Sequence, residues 1–111
     1  ADTRTLPELL IERHDILIER IGTRLKTHAT ETDIARLFIA LVEYRFMRKC
    51  PIKAFRNALH EQFNEQEIVH ERGIQKAYRN LISPLGNSKK LVKDIGEDHE
   101  AIEELKAYLS N

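Results

Sequence analysis

Apolar residues recur at three- and four-residue spacing along most of the chain, in runs that open on helix-start signals, and only helices can bury such a pattern on one face. Thr5-Leu6-Pro7-Glu8 is the first signal. The Thr hydroxyl can accept from the backbone N–H three residues on, Glu8 can reach back, and Pro7 needs no donor there. Leu10, His14, Leu17, Ile21 and His28 then keep four-three spacing, widened by Leu6, Ile18 and Leu25. The spacing predicts one helix from Leu6 to about residue 28. Thr30 with Asp33 predicts a second cap, followed by Ile34, Leu37, Phe38, Leu41 and Val42. Ile39 and Ala40 carry the apolar surface nearly round this helix, which marks it as central. It is expected to end near Lys49, because Pro51 disfavours helical geometry at Cys50.

Pro51 can start the next helix, with Ile52, Phe55, Leu59 and Phe63 on its inner face. Asn64 with Glu67 reads as a fresh cap and predicts a kink or break. Ile68, Ile74, Ala77, Tyr78, Leu81 and Ile82 continue the pattern up to Ser83-Pro84-Leu85-Gly86-Asn87, the one clear turn sequence. Ser88 can cap a last helix with Leu91, Ile95, Ile102, Leu105 and Leu109 on one seam, bent at Gly96. The chain has four glycines and three prolines in 111 residues, too few for a turn-rich β fold. The expected fold is all-α: one domain over 1–111, a compact antiparallel bundle of four to five helices with short connections.

Charge is zoned by sign although 18 basic residues balance 18 acidic ones. From Arg45 to Arg56 the charges are Arg45, Arg48, Lys49, Lys53 and Arg56; Glu61, Glu65, Glu67 and Glu71 follow. From Arg72 to Lys93 every charge is positive, and from Asp94 to Glu104 every one is negative. Such zones give a neutral chain basic and acidic surfaces that can meet each other, a second copy or a polyanion. On a helix Arg72, Lys76 and Arg79 share a face. They are expected to pair with the acidic 94–104 face, within the bundle or across a dimer.

The chain lacks a glycine-rich phosphate loop and a Gly-x-Ser-x-Gly elbow, so no enzyme is expected. Cys50, the single cysteine, excludes an internal disulfide and favours a cytoplasmic address. Its neighbours Arg48, Lys49 and Lys53 would favour a thiolate, although a small half-buried residue before Pro51 is the simpler reading. The apolar run Leu37 to Val42 is far short of the ~20 residues that span a bilayer, so no membrane partner is expected, and no leader pattern opens the chain.

Five histidines invite a metal reading. His14, His60 and His99 with Glu103 resemble hemerythrin-like bundles, where helices supply His and His-x-x-x-Glu pairs. The pattern departs at Asn64, where the second Glu would stand, and the second helix has no His. The expectation is therefore no cofactor and no metal, with His28 and its fellows as ordinary surface or core-edge histidines. The region Thr32 to Leu105 also resembles the C-terminal helices of transposon excision regulators, through Thr32-Asp33-Ile34, Leu41 and the Leu59 to Phe63 pattern. No residue role is carried over from it.

The reading that results is a small non-enzymatic interaction or regulatory module, acting by self-association or by docking to a partner protein. Tyr44, Phe46 and Met47, beside the very apolar Phe38 to Val42 segment, are the first candidates for an interface, with core packing of Phe46 and Met47 as the alternative. The second reading is a nucleic-acid-binding regulator using Arg45, Arg48, Lys49, Lys53, Arg56, Arg72, Lys76 and Arg79.

Overall fold

The computed structural model describes residues 2–81 and 97–110. Among them lie six helices: α1 (Leu6–Leu9), α2 (His14–Leu25), α3 (Glu31–Glu43), α4 (Ile52–Gln62), α5 (Glu71–Leu81) and α6 (Glu97–Ser110). The fold class is all-α, and the helices pack into one compact bundle. The radius of gyration of 13.1 Å matches the ~13 Å expected for a compact chain of this length. The turn at 83–87, the Ser88 cap and the Gly96 bend lie outside the described residues.

The Thr5 and Thr30 caps form where the side chains dictate. Glu8 accepts from the backbone N–H and the hydroxyl of Thr5, each at 2.9 Å. Thr30 accepts from the Asp33 N–H at 3.1 Å, while its own N–H donates to the Asp33 carboxylate at 3.2 Å. Helix α3 is central, as its nearly all-round apolar surface requires. Ile34, Ala35 and Leu37–Leu41 are all buried, and α5 and α6 pack against it. The Phe38 ring stacks tilted on Phe55 of α4 at 5.4 Å and meets Tyr78 of α5 edge-on at 5.7 Å. On α6 the seam residues Ile102, Leu105 and Leu109 are buried.

Three boundaries differ from the sequence expectation. The single helix predicted from Leu6 to about residue 28 is broken at 10–13, and its two parts are α1 and α2. Here the backbone pairs with another segment instead of with itself. Ile11 N–H donates to the Phe46 carbonyl at 3.1 Å, Arg48 N–H donates to the Leu9 carbonyl at 2.8 Å, and Leu10 and Met47 form an isolated antiparallel bridge. Arg13 then turns the chain into α2 through a left-handed backbone, φ 57°.

Helix α3 stops at Glu43 rather than near Lys49. Phe46 N–H donates to the Leu41 carbonyl at 2.8 Å and Arg45 N–H to the Val42 carbonyl at 3.2 Å. Arg45 between them has φ 60°. This is a Schellman cap with arginine where glycine is the usual residue. Finally, α5 begins at Glu71, not just after Asn64. The guanidinium of Arg56 donates to the carbonyls of Ile68 at 3.2 Å and Val69 at 3.3 Å. Those acceptors are held outside any helix, and Ile68 is buried beside them.

Helix α6 has no basic residue in its own last turn. Helix α2 and its N-cap supply the cations that its C-terminal carbonyls favour. Arg13 donates to the carbonyls of Leu109 and Ser110, both at 3.3 Å, and Arg20 to that of Tyr108 at 2.7 Å. The Tyr108 hydroxyl donates back to the Arg20 carbonyl at 2.8 Å, and the guanidiniums of Arg20 and Arg24 lie 5.8 and 5.5 Å from its ring.

Candidate functional site

The break in the first helix and the early end of α3 together create a concavity. It is a groove of about 660 Å³, bounded by the end of α3, the 45–50 link, Ile11 and Tyr78 of α5. The inward face of α3 supplies Phe38 and Val42 to its floor, and the bridge residue Met47 completes it. Arg45, Arg48 and Lys49 stand at its rim with one carboxylate, Glu43. The three cations are exposed. None has a side-chain hydrogen bond or ion pair among the described residues.

Burial pushes the Tyr78 hydroxyl above its ordinary range, and the Glu43 carboxylate adds to the effect. Cys50 also lines the groove. Burial raises its thiol to about 11, and the Arg4 guanidinium offsets this only in part. Its neighbours in sequence do not make it a thiolate, because desolvation is the larger effect.

Beside the groove a smaller hollow is lined by Ile52, Gln75, Tyr78 and Arg79. Tyr78 is common to both, so it joins the basic rim at 45–49 to the basic face of α5. Arg72, Lys76 and Arg79 are all exposed on that face, and none forms an ion pair among the described residues. Two of the expected partners on α6 are engaged elsewhere, and the side chains at 94–98 lie outside the described ones. Glu104 lies 3.7 Å from Arg24, and Glu103 accepts from the Tyr44 hydroxyl at 2.8 Å. Lys53 is exposed. Arg56 is spent on the Ile68 and Val69 carbonyls and faces the linker rather than a ligand.

The three interface candidates do not form one exposed patch. Met47 is buried, 2% exposed, and Phe46 packs half-buried against the core. Tyr44 is held by Glu103 and covered by the Lys106 ammonium 4.6 Å from its ring centroid. Burial and that carboxylate raise its hydroxyl to about 12. The apolar surplus of α3 is absorbed by α5 and α6, and among the described residues the large apolar side chains left exposed are Ile11 and Ile16.

His14 is exposed, its Nε2 3.0 Å from the Leu10 carbonyl. His28 is exposed beside the Thr27 hydroxyl, and His60 is exposed on α4. Among the described residues no group of three or more His, Cys, Asp and Glu side chains is gathered to hold a metal, so His14, His60, His99 and Glu103 are not brought together. No helix among them is long and apolar enough to cross a membrane.

Ile11, Phe38, Val42 and Tyr78 were not singled out by sequence as binding residues. The helical spacing of Phe38, Val42 and Tyr78 places them on apolar faces, Ile11 falls outside the first helix's stripe, and the chain break at 10–13 opens a groove over them. The family model that covers residues 1–111 is that of a family of unknown function, DUF6043, and the chain belongs to that family. No curated protein and no solved structure matches the chain.

Proposed function

We propose that this member of the DUF6043 family is a non-enzymatic interaction module that works by charge-directed docking to a second protein, a further copy of itself being the first candidate. One observation carries the reading. Among the described residues the exposed cations of α5 have no ion-pair partner on α6, which leaves that basic face available to an acidic surface of another molecule. Complementary zones of this kind steer and orient association more than they strengthen it. A cytoplasmic address belongs to the same reading, on the single half-buried cysteine.

Sedimentation equilibrium at low and at high salt tests it. Self-association that weakens with salt and is lost in Lys76→Glu/Arg79→Glu is the expected result. A monomer under both conditions removes self-association and leaves a different protein as the partner.

The contiguity of the α5 face with Arg45, Arg48 and Lys49 favours a second reading, a polyanion such as duplex nucleic acid. Fluorescence anisotropy of a labelled random duplex decides between them. Binding whose log K falls steeply with log salt would signal several phosphate contacts and promote the nucleic-acid reading. No binding at low salt would retire it.

A further inference from the structure

The groove at the end of α3 has a chemistry of its own, beyond charge-directed docking. Its volume lies within the range of about 300 to 1,000 Å³ that small-molecule sites occupy. Phe38 and Val42 make its floor largely apolar, and its rim carries three cations without a partner among the described residues against one carboxylate.

The backbone at Arg45 is a second and separate observation. Among the described residues two other than glycine have positive φ, Arg13 and Arg45. Arg13 uses its side chain to cap α6. Arg45 occupies the cap position at which glycine would be the lower-energy choice, yet its guanidinium has no partner among the described residues. A strained residue kept at the edge of a groove points to a role there.

We infer that this groove is a binding site for a small amphipathic carboxylate. The carboxylate sits between the Arg45 guanidinium and the cations of Arg48 and Lys49, and the apolar tail lies on Phe38, Val42 and Tyr78. Guanidinium suits a carboxylate because two parallel N–H donors match its two oxygens. The floor suits an alkyl or aryl tail because Phe38, Val42 and the Tyr78 ring present apolar surface to it.

The protein has one methionine, Met47, which lines the groove. A ¹³C-methyl label there gives a single resonance for the site. Titration with decanoate below its micellar concentration is expected to move that resonance saturably, whereas acetate and decyltrimethylammonium are not. Arg48→Ala and Arg45→Gly are each expected to weaken decanoate binding about tenfold, the loss of one charge-assisted hydrogen bond. Arg45→Gly should do so while melting no lower than the native chain, which separates recognition from folding.

No saturable shift with decanoate overturns the inference, as does an equal response to the cationic amphiphile or unchanged affinity in both variants. A Met47 resonance that moves with protein concentration alone would place a second copy in the groove and overturn it too. Salt-dependent self-association through α5 is read separately by sedimentation, so either proposal can fail without the other.

Discussion

Arg45 shows how a single backbone angle can set both stability and recognition. An L-residue in the left-handed region costs about 1 kcal/mol or more, a cost glycine escapes. Arg45→Gly is therefore expected to raise the unfolding free energy by about 1 kcal/mol in urea denaturation. Gly22 is the opposite case. A Cβ there would stand 2.7 Å from Cε1 of Phe63, and that half-buried ring packs against the core. Gly22→Ala should destabilise by about 1–2 kcal/mol despite its better helix propensity. At Gly73 a Cβ would meet only the carboxylate end of Glu31, which can swing aside. Gly73→Ala should be neutral or stabilising, and urea denaturation of the two alanine variants side by side checks the contrast.

At the scale of elements, α6 is held by a clamp whose parts come from α2. Arg13, Arg20 and Tyr108 exchange hydrogen bonds across the two helices, and α6 lacks a basic terminal turn of its own. Tyr108→Phe keeps the ring beneath the two guanidiniums and deletes only the bond to the Arg20 carbonyl. It should cost about 1 kcal/mol, the net worth of one half-buried hydrogen bond, since the Arg20 carbonyl keeps its bond within α2. Hydrogen exchange is the informative readout: faster exchange confined to α6 would show that the clamp acts locally, and uniform acceleration would not. Nothing in the apolar periodicity of α2 announces this role, since Arg13 and Arg20 stand outside its apolar stripe.

For the whole molecule, the response to alkaline pH follows from the groove. Burial raises the Cys50 thiol from 9.0 to about 11 and the Tyr44 hydroxyl from 10.0 to about 12. In both, folding favours the protonated form, so the unfolded chain releases its proton first. The stability that depends on Cys50 is full below pH 9 and is lost as pH rises through about 11; that of Tyr44 is full below pH 10 and is lost through about 12. Urea denaturation between pH 8 and 10 should show the fall beginning near 9, and Cys50→Ser should flatten that first part. A curve flat to pH 10 in the native chain would contradict the burial of the thiol. The charge zones also act at this scale. A chain of zero net charge carries an exposed basic face on α5 because α6 spends Glu103 and Glu104 on Tyr44 and Arg24.

The sequence by itself determined the helical class, the Thr5 and Thr30 caps, the central place of α3 and the α6 seam. These depend on interactions within a few residues and on the 3.6-residue period, which a linear reading sees directly. The tertiary structure alone decided where helices stop without a proline or glycine to stop them. The break at 10–13 exists because Leu9 and Ile11 pair with the 46–48 segment, and the 63–70 linker stays open because Arg56 takes its carbonyls. It also decided that Met47 faces the core, that Arg56 serves the linker, and that Phe38, Val42 and Tyr78 line a groove. Each of these rests on a contact between residues far apart in the chain, whose geometry no local pattern encodes.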